Sequence, residues 1–386
     1  MLRLEKRGSK SIRKWWWALD NISLMLMICI ILIGALLIIT ASPPVAERLK
    51  LSSFYFAHRQ FVFLLIACFT IFFLSSVSEK TLKRLILLGF FACIAMMITV
   101  LFVGEEVKGA RRWISVLGVS VQPSEILKPV FIFLTGLILA EKFSRENFPS
   151  FSVCTILYAL VCVLLILQPD FGMVITYTVV LCGQFFLAGL PIWWIAVAAG
   201  AALSGGFIAY NFLPHVARRI DMFISPDISE NFQVEKSLES YVSGGVFGRG
   251  PGEGVVKTHL PDSHTDFIFA VAGEEFGALF SSCIILVFLA FILRGLYLLY
   301  KEQNLFKIYV GGGIIVLFAL QTIFNIGVTL HLFPTKGMTL PFISYGGSSI
   351  MCYAICFGIF LNFTKKSGTI SGVKEILIGK THGTKR

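Results

Sequence analysis

The sequence predicts an all-α polytopic membrane protein with about ten transmembrane helices. Apolar residues make up 56% of its 386 residues and charged residues only 14%, whereas a soluble domain usually carries about a quarter charged residues. Segments such as Ile22–Thr40 and Gly311–Leu330 contain no charged residue. Each is close to the ~20 residues that a helix needs to cross a hydrocarbon core ~30 Å thick, because a helix rises ~1.5 Å per residue.

Ten apolar runs give the expected spans. The first run follows a basic segment, but it is longer than the ~7–15-residue core of a signal peptide, so we take it as a span. The fourth run contains Pro129 and is expected to enter the membrane at a tilt or only partly. The spans are predicted near residues 22–40, 61–77, 85–103, 126–140, 150–167, 172–188, 191–212, 267–293, 307–330 and 342–363.

An even number of spans places both termini on one side of the membrane, and the distribution of Lys and Arg indicates the cytoplasm. The largest polar loop, about 214–265 between helices 7 and 8, is then extracytoplasmic. The net charge of +11 follows from this topology and from anionic lipid, so it does not indicate nucleic-acid binding. We divide the chain into a basic cytoplasmic segment (1–20), a membrane domain (21–364) and a basic cytoplasmic tail (365–386).

Arg111, Arg112 and Trp113 follow the third span on the outer side. Arginine pairs well with phosphate and an indole can stack on a sugar, so a substrate site is one interpretation. Trp and Arg also favour the depth of the membrane interface, so an interfacial anchor is the other.

Polar and ionisable residues also mark the start of the fourth span: Gln122, Ser124, Glu125 and Lys128. Glu125 and Lys128 lie one helical turn apart within the membrane, where a charged group is costly unless it pairs or faces water. Two interpretations therefore stay open: the residues form an internal ion pair, or they form a pair that lines a polar cavity. Asp170, in the corner between the fifth and sixth spans, is either part of a turn or a functional carboxylate.

The outer loop ends with His264 and Asp266, where the eighth span begins. A carboxylate at that boundary is partly desolvated, which raises its basicity and suits a general base. An amino-terminal helix cap explains an aspartate there equally well. The glycine-rich stretch Gly244–Gly254 lacks the strand and helix of a nucleotide site, so it is interpreted as a flexible loop. Gln321 and Asn325, one turn apart, are interpreted as contacts between helices.

Together these motifs resemble the signatures of the shape, elongation, division and sporulation (SEDS) family, in that family's order and over nearly the whole chain. The resemblance implies a peptidoglycan glycosyltransferase of the cytoplasmic (inner) membrane that uses lipid II, the undecaprenyl-diphosphate-linked disaccharide-pentapeptide, at the division septum. The matching motifs are Gly109–Trp113, Gln122–Lys128, Gln168–Gly172, His264–Phe269, Gly273–Gly277 and Pro334–Ser349.

The resemblance assigns the catalytic carboxylate to Asp266 and a functional tryptophan to Trp113. In the implied reaction, the 4-hydroxyl of an incoming N-acetylglucosamine joins the anomeric carbon of N-acetylmuramic acid on the growing chain, and undecaprenyl diphosphate leaves. A divalent cation (Mg²⁺ or Mn²⁺) is considered as a cofactor that would offset the diphosphate charge. The expected partners are a class B penicillin-binding transpeptidase and other division membrane proteins. The substrate-binding residues are expected to be Arg111, Arg112, Trp113, Gln122, Ser124, Glu125, Lys128, Asp170, His264 and Lys336.

Two other classes of function stay open. A flippase or secondary carrier for the same lipid would suit the intramembrane Glu125 and Lys128, although the chain shows no internal repeat. A non-catalytic scaffold that recruits a transpeptidase is the third possibility. The scaffold predicts that replacing Asp266 leaves division intact.

Overall fold

The computed structural model describes residues 18–107, 110–116, 118–142, 148–212, 217, 221, 232–334 and 337–365. Each of the ten predicted spans corresponds to a helix in this part of the chain, so the all-α polytopic fold is confirmed. The helices are α1 (Asn21–Arg48), α2 (Tyr55–Ser76), α3 (Glu79–Val103), α4 (Pro123–Glu141), α5 (Ser150–Leu167), α6 (Phe171–Leu187), α7 (Ile192–Phe212), α9 (Ile268–Tyr300), α10 (Leu305–Thr329) and α11 (Gly347–Phe363), and α8 (Phe232–Gly244) lies in the outer loop.

Seven helices in the described part of the chain, α1 to α5, α9 and α10, are long and apolar enough to cross a membrane. Helices α6 and α11 are apolar but shorter, with 17 residues each. Helix α4 is a full helix of 19 residues despite Pro129, and most of it is buried among its neighbours. The fourth span is therefore a central helix of the bundle and not a partial one.

A three-stranded antiparallel sheet, β1 (Glu105–Val107), β2 (Ala110–Val116) and β3 (Val119–Val121), follows α3. The sheet was not predicted from the sequence. Gly118, at φ 76°, forms the turn between β2 and β3, a backbone conformation that glycine adopts without steric cost. Because side chains alternate along a strand, Arg111 and Trp113 share one face of β2 and Arg112 lies on the other.

Helix α9 is broken at Gly277, where φ is 78° and ψ is −178°. The sequence predicted one uninterrupted span here. The loop after α8 fits into the break: the N–H groups of Ala278 and Leu279 donate to the carbonyls of Gly245 (2.9 Å) and Val246 (3.2 Å). A Cβ atom at Gly277 would lie 2.4 Å from the backbone of this loop, so the break requires glycine.

The sheet, α8 and residues 245–267 lie at one end of the bundle, which we call the loop end. The opposite end is held by polar contacts of its own. Arg294 of α9 forms a bidentate ion pair with Asp20, which also caps α1. Asn362 of α11 donates to the carbonyls of Leu74 (2.8 Å) and Val77 (2.9 Å) at the end of α2. Polar contacts between helices therefore hold the bundle at the end opposite the loop end as well.

Candidate functional site

Hydrogen bonds to its main-chain carbonyls hold in place the segment before α9, residues 264–266. The carbonyls of three consecutive residues, 264 to 266, each accept a hydrogen bond from a different residue of the last third of the chain. The bonds are Tyr345 N to His264 O (2.9 Å), Ser344 Oγ to Thr265 O (2.6 Å) and Asn325 Nδ2 to Asp266 O (2.9 Å). The backbone that carries Asp266 is thus positioned by α10 and by the residues before α11.

Asp266 is half-buried at the loop end. Helix α9 begins at Ile268 with Phe267 in the N-cap position, so the interpretation of Asp266 as the N-cap residue is wrong. A Cβ atom at Gly337 would lie 3.1 Å from Asp266 Oδ2. The chain from Gly337 onward therefore passes directly beside the carboxylate, and glycine leaves the space for it. Lys336, the preceding residue, lies outside the described residues.

His264 is a packing residue, with 9% of its surface exposed. Its ring centroid lies 4.4 Å from that of Phe56 and 5.4 Å from that of Tyr345. Burial lowers the pKa of the imidazole to about 4, because desolvation disfavours the charged form. The ring is therefore neutral at pH 7 and offers no positive charge to an anionic substrate.

Arg112 is bound to the corner between α5 and α6. Its guanidinium donates to the carbonyls of Gln168 (3.2 Å) and Pro169 and lies 3.7 Å from Asp170 Oδ1. Gln122 Nε2 donates to the other oxygen of Asp170 (3.2 Å). Asp170 is 6% exposed and caps α6 through Met173 N (3.4 Å). The sequence-predicted residues Arg112, Gln122 and Asp170 therefore form one cluster, the corner cluster.

Arg111 differs from Arg112 although the two are adjacent. Its side chain is 50% exposed and lies 3.6 Å from Glu106, which is 61% exposed. An exposed ion pair of this kind adds little stability, so the guanidinium can exchange Glu106 for an anionic ligand. Trp113, on the same face of β2, is half-buried. Arg111 and Trp113 thus offer a charge and a ring side by side at the loop end.

Glu125 and Lys128 form an internal ion pair below the corner cluster. Lys128 Nζ lies 2.6 Å from Glu125 Oε2, and the side chains are 1% and 9% exposed for Lys128 and Glu125 respectively. The two atoms approach without the alignment of a hydrogen bond, so we treat the contact as an ion pair. Ser124 is fully buried, and Tyr177 donates to its carbonyl (2.9 Å). Of the two interpretations left open, the geometry matches the internal ion pair.

The first turn of α11 joins the corner cluster to the segment beside Asp266. Gln122 N donates to Ser348 Oγ (2.9 Å), and Ser349 Oγ lies 2.5 Å from Thr339 Oγ1, two residues after Gly337. Asn325, interpreted from sequence as a contact between helices, donates to the carbonyls of Asp266 and Met338 (2.6 Å). Asn325 therefore joins α10 to two loop segments of the site and not to another helix.

A buried set of charges holds the outer loop to α9. Both oxygens of Glu274 accept main-chain N–H groups, from Val256 (2.7 Å) and Lys257 (2.8 Å). Lys257 Nζ pairs with Glu275 and donates to the Thr40 carbonyl of α1 (3.0 Å). Lys257 was not predicted as a structural residue, since a lysine in a long polar loop gives no sign of burial. Its 3% exposure follows from the fold of the loop.

No group of three or more His, Cys, Asp or Glu side chains with metal-binding geometry occurs among the described residues. A Mg²⁺ ion commonly uses one or two carboxylates and takes its other ligands from water and substrate phosphates. Asp266, half-buried at the loop end, fits such a site as a single protein ligand. A cation that arrives with a diphosphate would need no more protein ligands than this.

Comparisons with known proteins agree with this architecture. Residues 20–368 match the FtsW/RodA/SpoVE family model, described as "Cell cycle protein". A protein of Caulobacter vibrioides named "Probable peptidoglycan glycosyltransferase FtsW" is 39% identical, over 91% of this chain and 90% of that protein. A protein of the same name from Pseudoalteromonas translucida is 33% identical, over 90% of this chain and 92% of its own length.

Two solved structures are similar in fold. One chain, from a study of a peptidoglycan synthase complex that coordinates polymerization and crosslinking, is 25% identical with a TM-score of 0.74, covering 90% of this chain and 98% of its own length. The rod shape determining protein RodA of Thermus thermophilus is 25% identical with a TM-score of 0.67, covering 90% of this chain and 97% of its own. The similarity therefore extends over the whole bundle.

Proposed function

The chain belongs to the FtsW/RodA/SpoVE family of cell cycle proteins, and we propose from this membership and from the position of Asp266 how it works. It is a peptidoglycan glycosyltransferase. Its substrate is lipid II, which it polymerises into glycan strands on the outer face of the cytoplasmic membrane during septal wall synthesis. The positive-inside distribution of Lys and Arg supports cytoplasmic termini, and the loop end is then the outer face.

The observation that carries this proposal is a half-buried carboxylate on a rigidly held segment at the loop end. Asp266 accepts the proton of the 4-hydroxyl of N-acetylglucosamine as that oxygen bonds to the anomeric carbon of N-acetylmuramic acid. The bond from that carbon to the diphosphate breaks, and undecaprenyl diphosphate leaves with its electron pair. A positioned general base of this kind contributes about 10²–10⁴-fold to a rate.

The cationic residues divide between two tasks. Arg111 is exposed and is suited to bind the diphosphate. Lys336 is proposed to bind the diphosphate as well, on the basis of the sequence alone. Arg112 and Lys128 orient the corner cluster and α4, because their charges already contact Asp170 and Glu125. A divalent cation bound to the diphosphate would supply further positive charge to the leaving group.

A class B penicillin-binding transpeptidase and other division membrane proteins are the proposed partners. Support comes from the structural relative studied as part of a peptidoglycan synthase complex that couples polymerization to crosslinking. Strands made at the loop end would then reach the crosslinking enzyme directly. Co-purification of the two proteins from membranes is the direct check, and their repeated separation would contradict the pairing.

The test is polymerisation of purified lipid II by the protein with its cognate transpeptidase. Asp266→Asn keeps the shape of the side chain but removes the base, so we expect product formation to fall by at least about 10²-fold. Asp262→Asn is the matched control. It lies in the same loop at φ 53°, a conformation that Asn tolerates, and it should retain activity.

Equal product from wild type and Asp266→Asn would remove Asp266 from the catalytic role. Lipid II movement across vesicles, with no polymer from any variant, would favour the transporter instead. Normal division by cells that carry only Asp266→Asn would favour the scaffold. Folding of each variant is checked by its thermal melting curve in detergent.

A further inference from the structure

Three large apolar side chains project from the outer loop beside the break in α9. Val242 is 83% exposed, Val246 is 55% exposed and Phe247 is 82% exposed. They belong to the last turn of α8 and the turn that follows it, and we call them the apolar turn. A contiguous exposed apolar group of this size usually marks a contact surface.

Helix lengths give the depth of the apolar turn. The second part of α9, from Ala278 to Tyr300, is about 34 Å long at ~1.5 Å per residue, which matches a hydrocarbon core ~30 Å thick. On α1, the distance from Asn21 to Thr40 is about 29 Å by the same rise, and Lys257 joins Thr40 to Glu275. Two helices thus place the break at the edge of the core at the loop end.

Hydrogen bonds place the apolar turn at this same level. The carbonyls of Gly245 and Val246 accept from Ala278 N (2.9 Å) and Leu279 N (3.2 Å), the first residues after the break. The turn therefore lies beside the outermost residues of the spanning part of α9. It does not stand out in the water above them.

The apolar face of α9 continues onto the turn. Leu279, Leu286 and Leu293, seven residues apart and hence on one face of the helix, are 54%, 60% and 56% exposed. This is the face that lipid covers in a membrane-spanning helix. The carbonyl of Val246 accepts from Leu279 N, so the turn lies against the start of this face, which also carries the exposed Ser282 between Leu279 and Leu286.

Part of the turn's backbone is bonded within the protein. The N–H groups of Gly245 and Gly248 donate to Tyr241 O (3.1 Å) and Gly244 O (2.8 Å), in addition to the bonds to α9. The N–H groups of Val246 and Phe247 have no backbone partner among the described residues, so the turn suits the edge of the hydrocarbon core, where water reaches it, and not the interior of the core. Charged side chains return immediately afterwards, at the exposed Arg249 and Glu253.

We propose that the apolar turn is immersed in the leaflet at the loop end and that phospholipid is its partner. Its immersion fixes the depth of the break at Gly277. Residues 268–276 lead from that break back to Asp266, so the membrane surface sets the height of this segment. The inference concerns the surface of the loop and stands independently of the role proposed for Asp266.

The test compares single introduced cysteines in phosphatidylethanolamine–phosphatidylglycerol proteoliposomes. The background carries Cys29→Ala, Cys68→Ala, Cys182→Ala and Cys283→Ala, which remove the native thiols that are not buried. Phe247→Cys is the probe, Glu253→Cys is the water-exposed control from the same loop, and Leu286→Cys is the lipid-facing control. We expect an impermeant maleimide to label Phe247→Cys at least about tenfold more slowly than Glu253→Cys, because a thiolate does not form readily in an apolar medium.

A bimane on the same cysteines distinguishes lipid from protein as the cover. Lipid carrying a nitroxide near the headgroup should quench the label at position 247 strongly and the label at position 253 weakly. Equal labelling and equal quenching at these two positions would overturn the proposal and leave the turn in water. Slow labelling at position 247 without quenching would also overturn it, since a second protein copy would then cover the turn.

Discussion

Ion pairs between side chains hold the corner cluster together, whereas neutral hydrogen-bond donors hold the main chain of the segment that carries Asp266. In the corner cluster, Arg112 meets Asp170 directly, and Glu125 and Lys128 pair below it. Before α9, the donors to residues 264–266 are an amide, a hydroxyl and a backbone N–H. The first arrangement uses its side-chain charges for structure. The second fixes a backbone with no charge among these donors.

The largest effect is expected for the ion pair of α4. Lys128→Met leaves Glu125 buried without its partner, and removing one member of a buried pair costs about 3–5 kcal/mol. Glu125→Leu together with Lys128→Met should cost clearly less than the sum of the single changes. Unfolding in detergent measures all three. Additive losses would show that the two charges act separately and would weaken the contrast between the regions.

His264 gives the second largest effect, and it depends on pH. The pKa of the folded imidazole is about 4 against an ordinary value of 6.5, so below pH 6.5 the unfolded chain binds a proton that the folded protein does not. The free energy of unfolding should therefore fall by up to about 3 kcal/mol as the pH drops from 6.5 towards 4. Melting curves check this, and His264→Phe should remove most of the slope. An unchanged slope would contradict the role of His264.

Asn325→Ala removes the donor to Asp266 O and Met338 O. Leaving buried carbonyls without a partner costs about 1–3 kcal/mol. Because Asp266 moves with its backbone, we expect kcat for lipid II polymerisation to fall while KM changes little.

Asn362→Ala is the matched control for Asn325. It removes a similar set of bonds to carbonyls, at the end of the bundle away from the site. A similar loss of stability with normal kcat is expected. If the two variants lost kcat equally, the effect of Asn325 would be one of general stability.

The smallest effects should separate Arg111 from Arg112. Arg112→Ala breaks partly exposed bonds to the corner and should cost about 1–2 kcal/mol of stability. Arg111→Ala loses only an exposed pair and should cost less than about 0.5 kcal/mol, yet it should raise KM for lipid II. Melting curves and steady-state rates measure the two outcomes. A normal KM in Arg111→Ala would exclude it as a ligand of the diphosphate.

Composition made the spans predictable, since a run of ~20 apolar residues has few alternatives to a membrane helix. The sheet was not predictable in the same way. Residues 110–116 place two adjacent arginines in a short segment without regular alternation, and its pairing depends on two equally short strands. The break in α9 was not predicted, because Gly277 stands at the start of the apolar run that follows Glu274 and Glu275, and one glycine does not by itself indicate a break. The carbonyls that stabilise the break come from a loop more than 30 residues earlier.

The candidate site was predictable as a set of residues and not as a set of roles. Asp266, Arg112, Gln122 and Asp170 all lie at the loop end, as their positions between spans indicated. Whether an arginine contacts the corner cluster or the solvent depends on the face of β2 that it occupies. Because β2 was not predicted, the different roles of Arg111 and Arg112 were not predictable. The donors Ser344 and Tyr345 lie about 80 residues after the segment they hold, and only the packed bundle brings them together.

The break at Gly277 also bears on how the protein is made. The turn at residues 242–247 leaves the ribosome before Ala278 does, so its carbonyls are present when the first N–H groups of the spanning segment emerge. The insertion machinery can recognise Ala278–Tyr300 alone as a complete span of about 34 Å. The preceding residues 268–276 then need not enter the translocon as part of it. They can settle on the finished bundle once α10 and the residues before α11 have been synthesised.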